Sequence, residues 1–230
     1  MARASSTHGN GAHKSHNGHK SQGNGMSRSN ASSRTRRSPA LSAEWLRDFL
    51  SEMLAVEKGG VKLYERALSD LEHSELEDKL TEFLKQTHRH VELCTSMLEA
   101  ACGNPDYMSP GAQAADHKAN GLITAEVPPK MLDLNNIENL VLAETKDHWN
   151  WEMLASIASK IGDTDLKRMA TKAISEVRRQ EKTHVDWNEK TLNRLAMESA
   201  TQASSAEMDE SPMDDREQEM PTNSKEDRDF

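Results

Sequence analysis

Between Asp165 and Met197 the chain places apolar residues at steps of three and four: Leu166, Ala170, Ala173, Val177 and, further on, Leu195. That spacing marks one face of a long helix. In the middle of the same face stand Glu181 and His184, one turn apart and pointing the same way, followed by Asn188 and Thr191. A carboxylate at a core position is costly unless water or a partner compensates its charge. Any fold of this chain must therefore open that face to water or bring a compensating group to it. A Glu-x-x-His pair aimed into a helix bundle is one way to hold a metal.

Three other helical stripes carry similar intrusions. A first helix is expected from about Ser42 to Asp70, with the stripe Leu46, Leu50, Met53, Glu57, Val61, Tyr64, Leu68. Gly59-Gly60 inside it costs about 1 kcal/mol per glycine relative to alanine, which a closely approaching backbone would explain. A second helix is expected from a capping box at Ser74 and Glu77 to Gly103 and Pro105, with the stripe Leu80, Phe83, Thr87, His90, Cys94, Met97, Ala101. A third starts near Asn135, with the stripe Ile137, Val141, Glu144, His148, Trp151, Ala155, Ala158. Gly162 ends it, and Asp163 or Thr164 caps the fourth helix. The long connection 104–134 predicts a short helix around Pro110 to Asn120, because so long a structureless loop is uncommon.

Register brings the intrusions together. Residues level with each other in an antiparallel pair are equidistant from the turn. Glu57 and His90 centre on His73-Ser74, and Glu144 and His184 centre beside Gly162-Asp163. Two turns along, Tyr64 follows Glu57 as Trp151 follows Glu144.

This layout resembles the ferritin-like superfamily, the di-iron and di-manganese carboxylate bundles that include ferritins, rubrerythrins and manganese catalases. The family pattern is a Glu on the first helix, Glu-x-x-His on the second, Glu on the third and Glu-x-x-His on the fourth. The resemblance covers about residues 42–197 and implies an all-α, ferritin-like four-helix bundle with a long crossover between the second and third helices. It implies Glu57, His90, Glu144, Glu181 and His184 as ligands, and Tyr64 as the tyrosine beside the site. The departure is Thr87, which stands where the family has a bridging glutamate. Asp147 can supply the missing carboxylate, or a hydroxide can make up the charge. Without either, Glu181 is the only full bridge, Glu144 and His184 hold the tighter metal, and Glu57 and His90 hold the weaker one. Each residue also has a plainer reading: the glutamates solvated between splayed helices, and His90 a core histidine bonded to a carbonyl. His88 and Glu92 fall off the stripe and read as surface. His148 reads as packing at the stripe edge, and Trp149 and Trp187 as packing or interface groups.

Composition bounds the rest. Residues 1–40 carry seven Lys or Arg, four His and no acid, and read as a disordered basic arm. Residues 201–230 carry ten acids against three bases and read as a disordered acidic tail. The span 41–200 holds nineteen bases and twenty-eight acids, enough chain for one domain, and its charge of −9 argues against a nucleic-acid surface there. Cys94 and Cys102, on one helix, are roughly 12 Å apart along its axis, too far for a disulfide. No run of apolar residues marks a signal or a membrane span. The expectation is a cytoplasmic, non-haem iron protein (manganese is tolerated) that oxidises iron or handles oxygen or peroxide under stress, as a homodimer or larger homo-oligomer. Two alternatives stay open: a metal-poor structural module, and a mini-ferritin-like protein that meets nucleic acid through its basic arm.

Overall fold

The computed structural model describes residues 41–124 and 126–209, with side-chain surroundings through Thr201. The regular structure of the described residues is all helical, with no strand. Five helices follow in order: α1 (Ala43–Ser69), α2 (Glu77–Cys102), α3 (Pro110–Thr124), α4 (Leu132–Ile157) and α5 (Thr164–Asp209). The arm 1–40 lies outside the described residues. The tail expected from residue 201 begins as helix, since α5 runs on to Asp209; 201–209 contains neither Gly nor Pro to stop it, and 210–230 is not described. No described helix is long and apolar enough to cross a membrane.

Helix α1 packs against α2, α3 and α4, while α5 packs against α4 and α2. The buried residues fall into two apolar clusters. One gathers Leu50, Met53, Met97, Leu98, Leu154 and Val177; the other gathers Leu63, Leu80, Phe83, Ile137, Leu140 and Leu195. Between them along the helices lies a buried polar layer that includes Glu57, His90, Glu144, Asp147, Glu181 and His184.

Local chemistry sets the ends. Ser42 caps α1 by accepting the Trp45 N–H. The capping box expected at Ser74 is absent: Ser74–Leu76 forms a 3-10 turn, and neither flanking residue caps with its side chain. The N–H groups of the two residues before that turn go to Asp133 of α4. Its carboxylate accepts from Glu72 at 3.1 Å and from His73 at 2.8 Å, and meets His73 Nδ1 at 2.6 Å. Gly103, at φ 69°, closes α2. Asp163 caps α5 by accepting the Leu166 N–H at 2.7 Å. The crossover is tied to α1 through Ser51, whose hydroxyl donates to Tyr107 O at 2.7 Å and accepts the Ser109 N–H at 3.0 Å. Helix α3 then lies on α1, where a Cβ at Gly59 would sit 2.9 Å from Ala119 Cβ. That approach is why the α1 interior carries a glycine.

The stripes of α2 and α5 are buried as their spacing predicts, apart from the half-buried Ala101 at the end of α2. Helix α4 is turned. Its inward face is Ile137, Leu140, Glu144, Asp147, Trp151 and Leu154, whereas Val141, His148 and Ala155 are only partly buried. The α4 interior holds several polar residues, so apolar spacing is a poor guide to its phase. The turn brings Asp147 inside.

Candidate metal centre

Six ionisable side chains from α1, α2, α4 and α5 meet in the polar layer. Glu57, His90, Asp147 and Glu181 form one group in which the ligand atoms all lie within 4.8 Å of one another. Glu144, Glu181 and His184 form a second group on the same criterion, and Glu181 belongs to both. All six residues are buried.

The contacts within the groups are close but incomplete. His90 Nδ1 lies 3.0 Å from Glu181 Oε1 and 3.6 Å from Glu57 Oε2. At 3.0 Å the ring is near enough for charge attraction, yet it points off the line of a hydrogen bond, so His90 Nδ1 has no hydrogen-bond partner. Glu57 Oε2, Asp147 Oδ1 and both Glu181 oxygens are likewise buried and unpartnered. Buried polar atoms are nearly always hydrogen-bonded. Here five atoms without hydrogen bonds converge on one layer, and each is an oxygen or nitrogen of a kind that ligates metals.

The outward sides of His90, His184 and Glu57 are, by contrast, hydrogen-bonded. His90 Nε2 meets Gln180 Oε1 at 2.9 Å, and His184 Nε2 meets Gln86 Oε1 at 2.8 Å. The Gln86 amide is oriented by its NH2, which donates to Glu82 Oε1 at 3.1 Å. An amide oxygen accepts, so each imidazole carries a proton on Nε2 and turns Nδ1 inward, that of His184 to within 3.1 Å of Glu144 Oε2. Outer partners of this kind fix the tautomer and orientation of metal-ligating histidines. Trp151 Nε1 donates to Glu57 Oε1 at 2.8 Å, which leaves Oε2 of that carboxylate facing the group. Tyr64 stands beside Glu144 and accepts from Asn188 Nδ2 at 3.3 Å.

An internal two-fold relation runs through these contacts. The α1 glutamate is met by an aromatic donor of α4, and the α4 glutamate has an aromatic of α1 beside it. The α2 histidine is held by a glutamine of α5, and the α5 histidine by a glutamine of α2. The two imidazoles stand 6.0 Å apart, each with an aromatic ring set at a steep angle: Trp151 beside His90 and Tyr64 beside His184.

Comparison with known protein families, curated proteins and solved structures returned no match. The chemistry of the centre is therefore read from its own residues.

Charge in the layer is strained without a cation. Burial pushes the Asp147 carboxyl well up, and Glu181, Glu57 and Glu144 add to it. Burial, with Glu144 next, raises Glu181 to about 7, although His90 pulls the other way. Burial lowers the His90 value, but the Glu181 and Glu57 carboxylates outweigh it and raise it to about 11. In the metal-free chain a proton on His90 thus stands where four carboxylates call for more positive charge. Burial and then Glu144 raise the Tyr64 phenol well above its ordinary value, so it stays a donor. Burial likewise keeps the Cys94 thiol protonated, and both cysteines are free.

Thr87 is buried in the layer but takes no part in either group. Its hydroxyl donates to Phe83 O of its own helix at 3.0 Å, and its methyl lies 3.4 Å from where a Cβ at Gly60 would be. The fourth carboxylate comes from α4 as Asp147. The group around Glu57 and His90 has four donor residues, and the group around Glu144 and His184 has three. His88 and Glu92 are exposed, His148 is half-buried, Trp149 is exposed, and Trp187 packs edge-on against Phe83 with ring centres 5.5 Å apart. The sequence reading passed over Gln86 and Gln180. Their signal was present, because each precedes a site histidine by four residues.

Proposed function

We propose that this chain is a di-metal carboxylate protein of the ferritin-like kind, with α1, α2, α4 and α5 as the four-helix bundle and α3 within the crossover. What carries the reading is the convergence of unpartnered, buried donor atoms on Glu57, His90, Asp147 and Glu181. Four carboxylates balance the charge of two divalent cations, and Glu181 faces both groups. A single protonated imidazole, His90, cannot balance all four carboxylates, and a buried charge left uncompensated costs several kcal/mol. Carboxylates with two imidazoles suit iron and accept manganese.

Bound iron would supply one-electron chemistry between its ferrous and ferric states, so oxidation of ferrous iron or the handling of oxygen or peroxide is the proposed activity. The protein's part is to hold the ions. Gln86 and Gln180 fix the imidazoles, Trp151 fixes Glu57, and Tyr64 stays a neutral donor beside Glu144. The test is metal content per chain after purification from iron-replete cells, followed by titration of the stripped protein with ferrous and manganous ions. Two ions per chain, with a higher melting temperature on loading, is the expected result. A chain that stays metal-free throughout and melts unchanged would overturn the reading in favour of a structural module.

A further inference from the structure

A cavity of about 650 Å³ lies between α1, α3 and α4 and is partly open to solvent. None of the six proposed ligands lines it. It exists because α1 and α3 touch at Gly59 and Ala119, while small residues on either side leave room. Val56 and Leu63 of α1, Leu122 of α3 and Leu142 of α4 give it aliphatic walls. Its size is that of a small-molecule site.

The lining selects the ligand class. It holds no aromatic ring for a flat ligand to stack on, and no hydroxyl or amide side chain to pair with a polar one. A flexible aliphatic chain meets only matching surface there. Leu142, 57 % exposed, is among the large apolar side chains that the described surface leaves to water, and a chain in the cavity would cover it. Three charged side chains border the space. Lys146 pairs with Glu52 at 2.8 Å, so those two neutralise each other. Lys118, exposed at the rim, has no ion-pair partner among the described residues. An apolar slot with one unneutralised cation at its edge is complementary to a chain that ends in an anion.

We propose that this cavity binds a single-chain fatty carboxylate, with the chain between α1, α3 and α4 and the carboxylate on Lys118. The site is independent of the metal centre. The probe is hexadecanoate, titrated into the full chain by calorimetry and counted by native mass spectrometry. Hexadecan-1-ol and phosphatidylglycerol vesicles serve as parallel arms. One hexadecanoate per chain is expected. Lys118→Glu, a surface change that leaves the fold alone, should weaken hexadecanoate at least tenfold and leave hexadecanol unchanged. Ala115→Phe, which fills the slot from α3, should block both with metal content unaltered. The proposal is overturned if wild-type protein binds no hexadecanoate, if neither substitution alters binding, or if the chain sediments with vesicles while ignoring the free acid.

Discussion

The two groups that share Glu181 are near copies in their supports and unlike in their donors. Each has a histidine turned by a glutamine across the α2–α5 interface, and a glutamate with an aromatic side chain beside it from across the α1–α4 pair. They differ on the inner faces of α2 and α4. Helix α2 offers Thr87, whose hydroxyl is spent on its own backbone, and α4 offers Asp147. One group therefore gathers four donor residues and the other three. A related pair of sites can move a carboxylate from one helix to a neighbour and keep the total charge, because the low-dielectric layer responds to the sum of nearby charges. The number of donor residues belongs to each group separately and does change.

The largest effect is expected where the two groups cannot be separated. Glu181→Ala removes the proposed shared ligand, so on the di-metal reading both ions should be lost together, and metal analysis should fall from about two per chain toward none. Loss of a single ion would show that Glu181 serves one group only. Next comes Asp147→Asn, which reduces the four-donor group to three charged or imidazole donors. Occupancy should fall to about one, with His184 still ligating. Adding Thr87→Glu to that variant returns a carboxylate to α2 and should restore the second ion. Failure of the double variant, with the fold intact by circular dichroism, would mean that Thr87 does not face the group.

Stability against pH sharpens the same contrast without mutation. The folded-state value of Glu181 is raised, to about 7 from an ordinary 4.5. A carboxyl raised on folding stabilises the protein at pH below its unfolded value, and that stabilisation is lost as pH rises through the folded value. The Asp147 shift has the same sign. Metal-free protein should therefore lose stability, on the order of a few kcal/mol, as pH rises from about 4.5 past 7. Metal-loaded protein should show the opposite trend, since ligands must shed protons to bind. Thermal melts of both forms across pH 4.5 to 8 would test this, and parallel curves would count against a metal in the layer.

The smallest expected effect lies in the supports. Gln180→Leu frees Nε2 of His90 and should weaken the four-donor group by roughly 10- to 100-fold; Gln86→Leu should do the same to the three-donor group through His184. Competition with a chelator, read separately for the first and second ion, distinguishes them. Equal losses at both ions from either substitution would show that the supports are not private to each group.

By itself the sequence determined the helices and most of what they present inward. The stripes of α2 and α5 are readable because each helix buries one face, so spacing alone places Thr87, His90, Glu181 and His184. Symmetric spacing about the turns likewise set Glu57 level with His90 and Glu144 level with His184. Tertiary structure decided the rest. Helix α4 lies between α1 and α5 and buries Asn136, Asn139 and Asn150 beside its apolar residues. Its inward phase thus follows from its neighbours' shapes rather than from hydrophobicity, and that phase makes Asp147 a member of the centre. The α1–α2 turn is capped by Asp133, sixty residues further along, because an unsatisfied N–H group accepts any carboxylate that folding brings near, whatever its place in the chain. The cavity beside α3 has the same origin: small residues permit it, but only the docking of α3 at Gly59 gives it its second wall.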